Sequence, residues 1–187
     1  RGGKFIFIST DAVYPGEKNN YDEHSETMPV NFYGITKLRA EKIVSRLSDF
    51  VILRTTGIFG IHDPGRKNYL AQLLDTKEAR KVPYDQISNP TDANVLVEYI
   101  LRIINKNIKG LYVATGPETM SRMDFTKMVV EEFGLKSELF IPSSSSDLGQ
   151  KAKRPLNNGT NSKLIRRILH YDPLSVRESL RTIKKEL

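Results

Sequence analysis

Cysteine and tryptophan are both absent from these 187 residues. Without thiols the chain forms no disulfide, no thiolate metal site and no sulfur nucleophile, and a cytoplasmic location is expected. No apolar run approaches the ~20 residues of a membrane span, and no signal-peptide pattern opens the sequence, so no membrane partner is expected either. Histidine is scarce. His24, His62 and His170 lack His, Asp or Glu neighbours at ligand spacing and read as surface residues, with no metal. Nowhere does the chain spell G-x-G-x-x-G or G-x-x-G-x-x-G, and Arg1-Gly2-Gly3 precedes an apolar run instead of following one. It therefore holds no glycine-rich cradle for a dinucleotide pyrophosphate.

Hydrophobic residues make up 39% of the chain, enough to bury a core in one domain or in half a domain with a cap. The formal charge is +7, and all of it sits at one end. From Lys151 to Leu187 there are ten Lys/Arg against three Asp/Glu, and the remainder is neutral. These cations share helical stretches with an apolar stripe of Leu164, Ile165, Ile168 and Leu169. No Arg/Gly or aromatic interleaving accompanies them. They read as a solvated helical face from which one or two cations can meet an anionic substrate; no nucleic acid partner is expected.

Strands and helices alternate. Lys4–Ser9 reads as a buried parallel strand with neighbours on both sides, and 11–30 as a loop long enough to be functional. Asn31 precedes a helix that carries Tyr33 and Lys37 and runs to about Leu47; a second buried strand, Phe50–Arg54, and a glycine-rich loop, 55–67, follow. Further helices are expected at about 68–79, at 92–104 where Val95, Leu96, Tyr99, Ile100 and Ile103 keep helical spacing, and from a Ser121 cap to Gly134. Strands are expected at 81–88, 110–114 and 139–141, a flexible serine loop at 143–147, and closing helices at 162–169 and 173–185. Such alternation implies an α/β domain with a parallel sheet.

Tyr33 and Lys37 stand four residues apart in Tyr-Gly-Ile-Thr-Lys, behind a strand that ends in Ser9-Thr10-Asp11. At i and i+4 on a helix the ammonium can approach the phenol, and a neighbouring cation favours a phenol's ionised form. A hydroxyl at a strand end can hold a carbonyl against that phenol. The outline is a carbonyl–alcohol redox site.

Three stretches carry a resemblance: Phe-Ile-Phe-Ile-Ser-Thr-Asp-Ala-Val-Tyr-Pro-Gly, Pro-Val-Asn-Phe-Tyr-Gly-Ile-Thr-Lys-Leu-Arg-Ala-Glu and Val-Ile-Leu-Arg-Thr-Thr-Gly-Ile-Phe-Gly. In that order, from Lys4 to Arg154-Pro155, the chain resembles the extended short-chain dehydrogenase/reductases, nearest the dTDP-4-dehydrorhamnose reductase branch. The resemblance begins mid-domain and implies the C-terminal portion of a Rossmann-like, doubly wound parallel sheet with a small substrate-binding α/β cap. The catalytic segment would span about 1–80, with later sheet and cap elements at about 81–187. It also implies NADP(H) or NAD(H) in the complete protein, a nucleotide-sugar substrate, and a homodimer as one candidate assembly. Thr10, Tyr33 and Lys37 take the family's catalytic positions, with Ser9 competing for the role of Thr10. Tyr33, Lys37, Thr56 and Ile58 would meet the cofactor, and Asp11 and Arg154 the substrate; Arg54 reads as structural.

Gly57 stands where rhamnose-forming reductases carry a tryptophan that stacks on the substrate, which removes a large apolar contact. Two other readings use the same residues. One is a sugar-nucleotide epimerase or dehydratase, although Asp11-Ala12 departs from the Asp-Glu of dehydratases. The other is a non-catalytic regulatory subunit resembling the beta subunit of methionine adenosyltransferase.

Overall fold

The computed structural model describes residues 3–60 and 68–187. Three parallel strands form the main sheet: β1 (Phe5–Thr10), β2 (Phe50–Thr55) and, further along the chain, β7 (Gly110–Val113), in the order β1-β2-β7. α1 (Phe32–Val44) crosses between the first two. Period-two alternation assigns the faces. Ile6, Ile8, Val51 and Leu53 pack with α3 (Ala93–Asn105) and α5 (Lys163–Leu169) on one side. Phe7, Ser9 and Arg54 meet α1 on the other.

The α/β class with a parallel sheet agrees with expectation. β1 pairs with β2 along one edge, and among the described residues no strand lies on its other edge, where Phe5 is exposed.

A second core gathers around α4 (Arg122–Phe133) and α6 (Val176–Glu186). They pack with α2 (Tyr69–Leu74) and the parallel pair β4 (Arg80–Pro83) and β9 (Phe140–Ser143), burying Leu70, Leu73, Val82, Phe125, Val129 and Leu180. Four short strands join the two cores: β3 (Ile58–Phe59) pairs with β6 (Thr91–Asp92), and β5 (Ile87–Ser88) pairs with β8 (Met120–Ser121).

Several expected boundaries move. The helix at 68–79 stops at Leu74, where Asp75 caps it. The stretch 81–88 breaks into β4 and β5, belonging to different sheets, because Pro83 closes one strand and the chain turns at Tyr84-Asp85. The serine loop is not free: Ser145 donates its N–H and its hydroxyl to Asp85, at 2.9 and 2.7 Å. His170 ends α5 in a left-handed conformation, just past the expected helix end at 169.

The loop that follows β1 is tied down over its length. Tyr14 and Tyr21 stack at 4.7 Å in a small core with Val13, Tyr21 pairs with the backbone around Thr160, and Glu23 accepts the Val113 N–H at 2.8 Å. That carboxylate covers a donor at the exposed edge of β7.

Candidate active site

Both cores meet where β1 and β2 end, and there a cleft of about 510 Å³ opens. Carboxyl ends of parallel strands are the usual site of ligands in such sheets. Thr10, Asp11, Tyr33 and Lys37 share its walls with Thr56, Ile58 and Arg154. Every residue given a catalytic, cofactor or substrate role from sequence thus borders one cavity. His24 and His170 are exposed and do not line it, and His62 lies outside the described residues.

The pair on α1 is placed by the residues around it. Asn31 caps the helix by accepting the Gly34 N–H at 2.9 Å. Gly34 then lets the first turn lie against the loop after β1: a Cβ built there would stand 2.2 Å from the Ala12 carbonyl oxygen. Lys37 donates from Nζ to the Ile8 carbonyl at 2.6 Å and lies over the Phe7 ring, leaving N–H bonds for a ligand. Tyr33 is half exposed in the cleft. Gly→Ala inside a helix ordinarily gains about 1 kcal/mol. Gly34→Ala is instead expected to lose about 1–3 kcal/mol through overpacking, read by thermal melting; an unchanged or raised Tm would show that the contact yields.

At the end of β1 the two hydroxyls part. Ser9 donates to Glu41 beneath α1. Thr10 accepts the Ala12 N–H at 3.2 Å and donates to Asp11 Oδ1 at 3.2 Å. Its proton must therefore turn away from Asp11 to reach a ligand carbonyl. Asp11 is buried, and burial raises its pKa above the ordinary 3.8 despite hydrogen bonds from Thr56, Asn158 and Thr10. Asn158 holds it from two sides, donating to its carbonyl at 2.8 Å and its carboxylate at 2.9 Å.

A raised carboxyl pKa stabilises the fold fully below the unfolded value, and that contribution is lost as pH rises through the folded value. Asp11→Asn, which cannot ionise, is therefore expected to melt above the parent at pH 7–8, with the gap closing towards pH 4. For a chain of this size each kcal/mol appears as about 2–4 °C. A gap that is constant with pH would contradict the titration.

Arg54 is structural, as read from sequence. It binds Glu41 through two parallel contacts, Nε–Oε1 at 3.1 Å and Nη2–Oε2 at 2.7 Å, and donates to the Tyr14 hydroxyl at 3.1 Å. Burial pushes the Tyr14 phenol up to about 12, so it stays a donor, to the Asp22 carbonyl at 2.6 Å.

Two arginines without carboxylate partners among the described residues also line the cleft, Arg122 and Arg154. The Arg122 guanidinium lies 4.2 Å over the Tyr69 ring. Protein crowding around it, and then the like charges of Arg154 and Arg80, lower its pKa although the side chain reaches solvent in the open cleft. A concave wall with unneutralised guanidinium groups favours phosphate.

Arg122, Asn158 and Gln86 were not singled out in the sequence. Arg122 had a local signal, as the residue after the Ser121 cap. Asn158 reaches Asp11 across most of the chain and had none. Gly57, with φ +54, turns the chain between β2 and β3 in a conformation that suits glycine. Among the described residues no group of His, Asp or Glu could hold a metal, and no helix is long and apolar enough to cross a membrane.

Residues 1–187 match the family described as RmlD substrate binding domain. The chain is 26% identical over 187 residues to the spore coat polysaccharide biosynthesis protein SpsK of Bacillus subtilis, covering 99% of this chain and 65% of that protein. It is 26% identical over 167 residues to methionine adenosyltransferase 2 subunit beta of Danio rerio, covering 83% of this chain and 52% of that one. Among solved structures, dTDP-4-dehydrorhamnose reductase from Bacillus anthracis in complex with NADP superposes with a TM-score of 0.91 at 27% identity. That match covers all of this chain and 66% of the other. This chain thus spans about half to two thirds of the length of these relatives.

Proposed function

Since the chain belongs to the RmlD substrate binding domain family, within the extended short-chain dehydrogenase/reductases, we propose that it forms the catalytic and substrate-binding part of a reductase. The substrate is a 4-keto nucleotide sugar and the reductant NADPH or NADH. In this reading about 1–80 carry the catalytic pair and about 81–187 supply later sheet strands and the cap. One observation carries the reading: a single cleft holds a phenol and an ammonium from α1 beside two arginines that have no carboxylate partners. The first pair suits a carbonyl, the second a diphosphate.

The residues present fit the nicotinamide end of a dinucleotide. Lys37 keeps N–H bonds free beside the strand ends, and Thr56 and Ile58 border the same space. No glycine-rich turn in this chain fits the pyrophosphate. A bound nicotinamide supplies the hydride. Tyr33 gives its hydroxyl proton to the sugar oxygen, Lys37 holds the cofactor ribose and supports charge on the phenol, and Thr10 orients the carbonyl. Arg122 and Arg154 take the diphosphate.

A second reading, a subunit of a larger enzyme, draws on the likeness to methionine adenosyltransferase 2 subunit beta. Calorimetry with NADPH and NADH on this chain, and on a version extended to the length of its relatives, separates the two. Binding by the extended protein, with turnover of a dTDP-4-keto sugar, is expected. If neither binds, the redox reading falls and the subunit reading takes its place.

A further inference from the structure

Asn31 uses both ends of one amide. Its Oδ1 caps α1 at Gly34 N–H, and its Nδ2 donates to the Lys153 carbonyl at 3.0 Å, across 122 positions of sequence. The segment it reaches, Gln150–Asn158, runs along the cleft. Both its flanks are fastened elsewhere. Gln150 accepts from Gln86 Nε2 at 3.0 Å. Pro155 packs so closely on Gly16 that a Cβ on that glycine would stand 2.1 Å from it. The Leu156 carbonyl accepts from Ile87 N–H at 2.7 Å, and Asn157 N–H donates to Gly16 at 2.8 Å. Between those anchors, at 151–155, the Asn31 amide makes the only hydrogen bond recorded among the described residues.

The next residue is Arg154, a solvent-exposed side chain of the cleft wall with no carboxylate partner among the described residues. An arginine that swings freely loses rotamer entropy when it binds an anion; fixing its backbone removes part of that loss.

We propose that Asn31 is a positioning residue: its amide nitrogen fixes the backbone at Lys153, aims Arg154 into the cleft, and couples the anion-binding wall to the helix that bears Tyr33 and Lys37. The ligand side of this proposal rests on the nucleotide-sugar reading; the tether itself does not. Because the cap uses the amide oxygen and the tether the amide nitrogen, the two jobs separate by substitution. Asn31→Ser and Asn31→Asp both keep an oxygen that caps a helix and both remove the Nδ2 donor. A neutral hydrogen bond of this kind is worth about 2–12-fold in an equilibrium.

Limited trypsin digestion reads the tether directly, since Lys151 and Lys153 both lie in the segment. Cleavage after them is expected to quicken about 2–12-fold in both variants, while cleavage after Lys37, Arg39 and Lys42 in α1 stays at the parent rate. Calorimetry with dTDP then reads the ligand. Asn31→Ser is expected to weaken dTDP by the same factor, and to have no further effect on the background of Arg154→Ala. In the extended protein KM should rise with kcat nearly unchanged.

Unchanged cleavage at 151 and 153, or faster cleavage confined to α1, overturns the tether and leaves Asn31 a plain cap. Weakening of dTDP that is fully additive with Arg154→Ala overturns the coupling. Failure of the parent to bind dTDP would sink the nucleotide-sugar reading instead, and the digestion would still decide whether Asn31 holds the segment.

Discussion

Tyr33→Phe in the extended protein is expected to lower kcat for a 4-keto sugar by about 10²–10⁴-fold, the usual worth of a positioned proton donor. The substitution removes one oxygen from a ring that is half exposed. Stability should therefore stay within about 0.5 kcal/mol of the parent, as for other surface changes. Substrate KM should move little, because the proton is transferred only as charge develops on the sugar oxygen. Lys37→Met should cost more than its share of the chemistry, since it also removes the hydrogen bond to the Ile8 carbonyl that anchors α1 to β1. If Tyr33 and Lys37 act as one unit, the double variant will be scarcely slower than the slower single one. Parent-like turnover by Tyr33→Phe would end the general-acid assignment; absence of turnover in the parent together with capture by a larger enzyme would favour the subunit reading.

What could be read from sequence was what local spacing encodes. The i, i+4 pair, the Ser121 cap and the Gly134 terminus are signals a few residues wide, and each appears where expected. The α/β class followed from the alternation of apolar runs with helical stripes. Boundaries failed where a weak local preference met a packing demand. The stretch 81–88 reads as one strand, yet β4 pairs with β9 and β5 with β8, so the chain turns between two partners that sequence spacing does not reveal.

The cleft's long-range ties were the least visible. Asn158 with Asp11, Asn31 with Lys153 and Asp85 with Ser145 each join residues at least 60 positions apart. Glu41 is the instructive middle case. It stands one helical step beyond Lys37, at Tyr33, Lys37, Glu41 spacing, and so faces the sheet. An acid on a sheet-facing stripe calls for a buried cation, and Arg54 had already been read as structural.

That ion pair carries the second large effect. Glu41→Ala is expected to destabilise the chain by about 3–5 kcal/mol, the cost of removing one partner of a buried pair, or about 6–20 °C in Tm at this chain length. The side chains of Arg54 and Glu41 are 6% and 4% exposed, and Ser9 loses its acceptor at the same time. The loss is large because a guanidinium would remain buried against Tyr14 with its charge unanswered, more than because the pair itself is strongly stabilising. Two comparisons test that distinction. Replacing both partners by Leu and Met should cost much less than Glu41→Ala alone, since no orphaned charge is left. Arg177→Ala, which breaks contacts with Glu131 and Glu132 on the surface, should cost no more than about 1 kcal/mol. The buried pair also joins α1 to β2, while Ser9 joins the same carboxylate to β1, so the Tyr33–Lys37 helix is held against both strands whose ends form the cleft. Glu41→Ala should accordingly lower turnover even at temperatures where the variant remains folded. A Glu41→Ala chain melting within about 1 kcal/mol of the parent would mean that the Arg54 charge finds water, and would remove Glu41 from the account of how the site is built.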